Sequence, residues 1–301
     1  MSMGAAVNVC GRLLLAFVSV LAGPALAQRV LVLSSNDGTQ YRQALAGIQK
    51  HGLPVEAYEV TGDNDPTLTS AITRAGRDSV IIALGGRASA LVARTTTVAT
   101  TVNCMAVSSD DGKLPANALV VPLEVPIETH IHWLKRLLPQ AHSVGLLYDP
   151  AQNERRASDV AGALRRAGFQ PNLEPVGSPS ALPAALHRLN NKSDVLQALP
   201  DTTVFAREHS RALLLFSFRN FIPLIGPNEG WVRAGSLYAI DWDYPDLGRY
   251  CLALGLRQHG GNRTPSPPAA KSRVLVNLRS AELLRVHWDA DTLRMVERVP
   301  E

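Results

Sequence analysis

Residues 143–168 read SVGLLYDPAQNERRASDVAGALRRAG, and this stretch decides the fold class. The apolar run Val144–Tyr148 has the length of a buried strand, and Asp149 then stands directly before Pro150. An aspartate before a proline is typical of a helix start, because its carboxylate accepts hydrogen bonds from unpaired backbone N–H groups. Apolar residues then recur at helical spacing: Ala157, Val160, Ala161 and Leu164. Gly168 ends the pattern, so the stretch predicts a strand followed by a helix.

The same alternation of strand and helix patterns starts at Arg29 and continues along the chain. It predicts eleven strands: Val30–Leu33, Val55–Val60, Val80–Leu84, Val102–Val107, Leu119–Leu123, Val144–Tyr148, Leu173–Val176, Val195–Leu199, Pro223–Ile225, Leu237–Ile240 and Val274–Leu278. Such alternation is typical of parallel sheets covered by helices on both faces. The alternation of strands and helices starts again at Ser143, after a long predicted helix at 126–138. We therefore expect an α/β fold with two doubly wound parallel-sheet lobes joined by crossover strands.

The expected lobes are discontinuous in sequence. Residues 28–125 and 242–270 form the N-terminal lobe, and residues 126–241 and 271–301 form the C-terminal lobe. Among these residues, the stretch GNRTPSPP at 261–268 has the composition most typical of a linker. The chain therefore crosses between the lobes more than once.

Residues 1–27 have the three-part pattern of a secretory signal peptide. Arg12 precedes the apolar run Leu13–Leu21, and small residues at Ala25 and Ala27 follow it. A membrane-spanning helix needs about 20 apolar residues, so this run is too short to cross a bilayer. We expect cleavage after Ala27 and export to the periplasm.

Composition excludes several classes of protein. With 301 residues, 46% of them hydrophobic and 19% charged, the chain can bury a large core and is not disordered as a whole. A net charge of +4 without a basic cluster gives no argument for nucleic acid. Cys104 and Cys251 both lie in apolar surroundings, and we expect two buried free thiols rather than the disulfide that an oxidising compartment permits.

Catalytic and cofactor motifs are missing from the sequence. There is no GxSxG nucleophile elbow, no Walker P-loop and no GxGxxG, which removes the usual support for a hydrolase or a nucleotide cofactor. His130 and His132 fall two apart in a helical pattern, so they do not face one point, and we expect surface histidines rather than a zinc site. We expect no enzyme activity, no cofactor and no metal; a hydrolase with a cleft serine or aspartate stays an alternative.

Candidate ligand contacts follow from the predicted strands. In open α/β sheets, ligands bind beyond the carboxyl ends of the strands, where loops and helix starts offer unpaired N–H groups. The residues predicted at these ends are Ser34, Asn36, Asp37, Gly85, Gly86, Arg87, Tyr148, Asp149, Asp201, Thr202, Asn228 and Asp241. Asp149 and Asp201 are explained equally well as helix caps, and Tyr148 by core packing. Arg87 can pair with a ligand carboxylate or stay solvated, and Asp241 can hold an ammonium group or start a turn.

Several short motifs occur in a fixed order along the second half of the chain: WLKRLLP at 133–139, VGLLYDP at 144–150, LPD at 199–201, IPLIG at 222–226, VRAGSL at 232–237, DLGR at 246–249 and VNL at 276–278. In this order they resemble the ABC-transporter substrate-binding protein family, whose fold is similar to type 1 periplasmic binding proteins. The resemblance covers residues 125–284.

The resemblance implies a two-lobed receptor that closes on a small polar, amino-acid-like solute and delivers it to an ABC permease driven by an ATPase. By position it implies contacts from residues 148–149, 201–202 and 241, and from the first-lobe loop at 85–87. We expect a monomer that binds no nucleic acid. The alternative is a ligand-sensing receptor domain of a signalling or non-ABC uptake system with the same fold, which neighbouring permease and ATPase genes would argue against.

Overall fold

The computed structural model describes residues 29–62, 65–106, 118–199, 201, 203–262 and 265–299. The predicted signal peptide at 1–27 and Thr202 lie outside these residues. The strands are β1 (Arg29–Ser34), β2 (Val55–Glu59), β3 (Ser79–Leu84), β4 (Thr100–Ala106), β5 (Leu119–Pro122), β6 (Ser143–Tyr148), β7 (Gln170–Pro175), β8 (Val195–Ala198), β9 (Leu224–Gly226), β10 (Tyr238–Trp242), β11 (Ser272–Val276) and β12 (Glu297–Arg298).

Helices separate most of these strands. They are α1 (Thr39–Gln49), α2 (Pro66–Arg74), α3 (Gly86–Arg94), α4 (Ile127–Leu137), α5 (Pro150–Arg166), α6 (Leu182–Leu189), α7 (Ser210–Asn220), α8 (Glu229–Ala234), α9 (Tyr244–His259), α10 (Leu278–Leu283) and α11 (Ala290–Arg294). Asp65, Asp149 and Asp243 each cap a helix by accepting hydrogen bonds from its first turn. Ser178 begins only a short 3₁₀ turn and makes no such bond.

Two sheets repeat one strand order. The first sheet is parallel throughout, with the order β2-β1-β3-β4-β5. The second sheet has the order β12-β11-β10-β9-β8-β6-β7, so β6 to β10 repeat the order of the first sheet. β11 pairs antiparallel with β10, which the uniformly parallel prediction missed. The predicted α/β fold with two doubly wound lobes is confirmed; we call the layers around these sheets the first and the second lobe.

Central strands are buried on both faces, as the apolar runs in the sequence require. Every residue of β3 is buried. On one side the first sheet packs against α1 and α9, and on the other against α2 and α3. In the second lobe, α4 and α5 cover one face and α6 and α7 cover the other. Because helices cover both faces of each sheet, the strand ends and the space beside the crossovers remain for a ligand.

Helix α9 follows a strand of the second sheet but packs on the first lobe. It crosses α1 at Gly47 and Gly248, where the two backbones touch. A Cβ atom at Gly248 would lie 2.7 Å from the carbonyl carbon of Ala44, and one at Gly47 would lie 2.7 Å from that of Pro245. Only glycine allows this approach.

A disulfide joins Cys104 of β4 to Cys251 of α9, with 6.2 Å between the Cα atoms. The prediction of two free thiols is therefore wrong. The two residues are 147 positions apart, and only the return of α9 onto the first sheet brings them together. The apolar surroundings were predicted correctly, since both residues are fully buried. The disulfide links the last helix of the first lobe to its sheet.

Candidate functional site

The predicted first-lobe residues lie where β1 and β3 end. Ser34 closes a turn, its Oγ donating to the Asn36 carbonyl at 2.6 Å. The Asn36 side chain accepts from the Gly38 N–H at 2.8 Å. The backbone carbonyl of Asp37 accepts from Arg42. These contacts are local, and none of the residues lines the cavity described below.

The loop after β3 starts helix α3. Gly85 has a φ of 87°, a conformation that favours glycine, and Gly86 begins the helix. The exposed Arg87 donates to the carbonyl of Val60 at 3.3 Å. Ser35, which was not among the predicted contacts, accepts from the Ala88 N–H at 3.0 Å and supports the start of this helix. The loop residues are therefore engaged within the first lobe.

Tyr148, Asp149 and Asp201 lie together at the ends of β6 and β8. Tyr148 is buried in the core. One oxygen of Asp149 accepts from the Thr203 hydroxyl at 2.5 Å and from the Gln152 amide at 2.8 Å. These bonds hold the pKa of Asp149 below its ordinary value, and the bond from the Thr203 hydroxyl contributes most. The side chain of Asp149 is thus engaged by its own lobe.

Asp201 orders the turn that follows β8. Its Oδ1 accepts from the backbone N–H groups of Thr203, Val204 and Phe205 at 3.0, 2.6 and 3.3 Å. Its Oδ2 accepts from the Asp149 N–H at 3.2 Å. Among the described residues no helix begins at this turn, since a 3₁₀ turn starts only at Arg207 and α7 has His209 at its N-cap. The helix-cap interpretation is therefore wrong for Asp201, but its local bonds still argue against a ligand contact.

We expect Asp201→Ala to lower the free energy of unfolding by about 1–3 kcal/mol, because several backbone N–H groups lose their acceptor. Urea denaturation measures the change. Asp201→Asn, which retains an acceptor oxygen, should lose less. An alanine variant with normal stability but weakened solute binding would make Asp201 a ligand contact instead.

A cavity of about 600 Å³ lies at the carboxyl ends of β8, β9 and β10, beside α4, α5 and the segment that leads from β5 into α4. Gln40 of α1 and Tyr244 of α9 add residues from the first-lobe helices. Of the predicted contacts, Asn228 and Asp241 line this cavity. Its volume suits a small organic molecule.

Asp241 is the cavity carboxylate whose charge is least compensated. Its Oδ1 accepts from the Tyr244 hydroxyl at 2.7 Å and from the Trp242 N–H at 2.9 Å. Burial raises its pKa, against these hydrogen bonds and the nearby Arg273. Arg273 on β11 lies directly opposite Asp241 in the strand pairing, but it forms its ion pairs with Glu229 and Glu297. Asp241 makes no ion pair within the described part of the chain, so a cationic group of a ligand would find a partner there.

Arg156 of α5 and Glu124 of the β5–α4 segment form an ion pair at the cavity wall. Both side chains are mostly buried, and burial lowers the pKa of Arg156 to about 10. Their charges compensate each other. The pair therefore adds polarity to the wall without adding net charge.

Gln197 and His130 are among the cavity residues that were not predicted as contacts. Gln197 of β8 is only 4% exposed and lies in register between Leu146 and Ile225. The Nδ1 atom of His130 is buried and has no hydrogen-bond partner among the described residues. The prediction of surface histidines is wrong for His130, whose pKa burial lowers to about 4, and correct for the exposed His132. A polar residue inside an apolar strand was the available signal for Gln197.

The described residues contain neither a metal-binding cluster nor a membrane-spanning helix. No group of three or more histidine, cysteine, aspartate or glutamate side chains is placed to hold a metal ion. No helix within these ranges combines the length and apolarity needed to cross a bilayer.

Comparison with solved structures assigns the fold. The chain is similar to the ligand-free, open structure of a substrate-binding protein with adhesive properties from Clostridium difficile, with a TM-score of 0.73 and 16% identity over 90% of this chain and 99% of the other. The chain has the type 1 periplasmic-binding-protein fold. Sequence comparison finds no matching family model and no matching curated protein.

Other proteins with this fold differ in what they do. An ABC domain in complex with L-Trp from Streptococcus pneumonia matches with a TM-score of 0.61 and 16% identity over 90% of this chain and 99% of the other. The Lac repressor dimer bound to operator matches with a TM-score of 0.51 and 18% identity over 83% of this chain and 93% of the other. The periplasmic-binding-protein fold therefore serves both substrate binding and transcriptional control, and the function must be argued from the cavity.

Proposed function

We propose that the chain is the periplasmic solute-binding protein of an ABC-type importer. It captures a small polar, amino-acid-like solute and delivers it to a membrane permease driven by an ATPase. The observation that carries the proposal is the cavity of about 600 Å³ with the unpaired carboxylate of Asp241, lined by elements of both lobes. The signal-peptide pattern of residues 1–27 and the Cys104–Cys251 disulfide both fit an oxidising compartment.

The proposed mechanism is capture between two lobes. We place residues 28–125 with 242–270 in one lobe and 126–241 with 271–301 in the other, so the chain crosses between them three times. Rotation about these crossovers would close the lobes over a bound solute. Asp241, at the crossover into α9, would hold the ammonium group. The protein acts as a monomer, without catalysis, cofactor or nucleic acid.

Native mass spectrometry of the exported protein tests the proposal. We expect a small organic solute to co-purify, and the same compound to raise the melting temperature when it is added back, because a ligand stabilises the state that binds it. A library of amino acids and small organic acids is the second arm. A protein that carries no solute and is stabilised by no library member would contradict solute binding.

We expect Asp241→Asn to weaken binding of the solute by about 10- to 100-fold, because a charge-assisted hydrogen bond is lost. The variant should melt at the same temperature as the wild type or higher at pH 7. The reason is that a carboxyl with a raised pKa binds its proton more tightly in the folded state, so the ionised group costs stability above that pKa. For the same reason, wild-type affinity should fall on acidification at a pH above the ordinary carboxyl range.

Calorimetric titration and thermal melts measure both effects of the Asp241 substitution. Asp291→Asn is the matched control, since Asp291 is an exposed aspartate beside Arg294 and does not line the cavity. It should change neither quantity. Equal affinities of the Asp241→Asn variant and the wild type would remove Asp241 from the site.

A further inference from the structure

Gln197 is an anomaly of the second sheet. It lies in β8, a central strand buried along its whole length, and shares its sheet face with Val195, Leu146 and Ile225. Its side-chain amide has no hydrogen-bond partner within the described ranges, although the residue is 4% exposed. The amide atoms are not among the fully buried polar atoms that lack a partner, so they are accessible from the cavity rather than enclosed in the core. The amide borders the cavity, so a bound molecule can supply the missing partner.

His130 is a second unpartnered polar group at the same cavity. It lies three residues after Ile127 and four before Leu134 on α4, which places it on the helix face that packs against the core. Its Nδ1 is buried and has no partner among the described residues. Burial also keeps the imidazole uncharged at neutral pH, because its pKa is lowered to about 4. Two elements, a strand and a helix, thus each present a neutral polar group that nothing described in the protein satisfies.

We propose that Gln197 and His130 form a neutral polar subsite of the cavity, which binds an uncharged hydrogen-bonding group of the solute. Amides, hydroxyls and ring N–H groups have this chemistry. An ionised group does not fit, because the nearby charges of Arg156 and Glu124 already compensate each other and neither subsite residue carries a charge. The inference rests on the proposed solute-binding function and specifies its ligand: an amino-acid-like compound with a neutral polar end.

Four probes test the subsite in two matched pairs. L-Glutamine and L-glutamate differ by an amide against a carboxylate, and L-tyrosine and L-phenylalanine differ by one hydroxyl. In each pair, we expect the wild type to bind the member with the neutral polar group about 10-fold more tightly. The reason is that this group would hydrogen-bond to side chains that have no partner in the protein. In Gln197→Met, which conserves the side-chain volume, that preference should disappear. Equal binding within the pairs, or an unchanged preference in the variant, would overturn the subsite.

The melting temperature of the ligand-free protein is an independent readout. Because the Gln197 amide has no protein partner, Gln197→Met should melt within about 2 °C of the wild type or above it. A fall of more than about 5 °C would show that the amide has a structural role, and would overturn the inference. Gln170→Met on the exposed part of β7 is the control and should change neither readout.

The two proposals fail in different ways. If the wild type binds none of the four probes and no other member of the library, the amino-acid-like solute of the proposed function is contradicted, and the melting temperature of Gln197→Met still decides whether the amide has a structural role. If the wild type binds both members of each pair with equal affinity, the proposed solute binding is supported and only the subsite is contradicted.

Discussion

Gly248→Ala should lower the free energy of unfolding by about 3 kcal/mol, because overpacking against a backbone cannot be relieved by a rotamer change. The added methyl group would lie 2.7 Å from the carbonyl carbon of Ala44, within the main chain of α1. For the two helices to separate, α9 must move away from the first sheet. A loss of this size corresponds to a fall of roughly 5–10 °C in melting temperature.

Gly162→Ala in α5 is the matched control for this substitution. It is also a helical glycine, but the nearest atom to its new methyl group is a flexible arginine nitrogen at 3.4 Å. It should be neutral or stabilise the protein by up to about 1 kcal/mol, since alanine is the better helix former. Thermal melts of the two variants, measured side by side, separate the effect of backbone packing on stability from the effect of helix propensity. Equal melting temperatures for both would show that α1 and α9 can move apart at little cost.

The strand pattern was predictable because central parallel strands need apolar side chains on both faces. β3 and β6 are such strands, and their sequences carry hardly any polar residue. The antiparallel partner β11 was not recognisable in the same way. Its apolar run looks like that of a parallel strand, and its direction depends on the crossover that leads into it from α9.

The candidate site was only partly predictable. The carboxyl-end rule identified Asn228 and Asp241, because Asn228 follows β9 and Asp241 is the penultimate residue of β10, and both strands open on the cavity. It also selected Asp149 and Asp201, whose hydrogen bonds stay within their own lobe. The rule identifies strand ends, but it does not tell whether the side chains at these ends already accept hydrogen bonds from local N–H groups. Gln197 was missed because the predicted strand ran to Leu199 and placed Gln197 in its interior, whereas β8 ends at Ala198 and Gln197 is its penultimate residue.

The disulfide between Cys104 and Cys251 could not have been derived from spacing. Cysteines 147 positions apart give no local signal, and the pairing depends on α9 returning across the chain to the first lobe. Their apolar surroundings fit a free thiol equally well. The pairing is therefore a product of the topology, and its energetic consequence is the largest that we expect from any substitution in the chain.

Replacing both cysteines, as Cys104→Ala with Cys251→Ala, should lower the free energy of unfolding by about 4–5 kcal/mol if the chain-entropy account of disulfides holds for so long a loop. The loop that the disulfide closes contains most of the second lobe, so the unfolded chain is restricted strongly. The two small cavities left in the buried contact between β4 and α9 add to the loss.

Thermal melts with and without reductant measure this loss, and peptide mapping under non-reducing conditions identifies the pair. The reduced wild type should approach the double variant in melting temperature, while the variant itself should be insensitive to reductant. A wild type that melts at one temperature in both conditions, with free thiols at both positions, would contradict the pairing. Because α9 also carries Tyr244 at the cavity wall, the variant should in addition bind the solute more weakly near its melting transition, where α9 is no longer held against the first lobe.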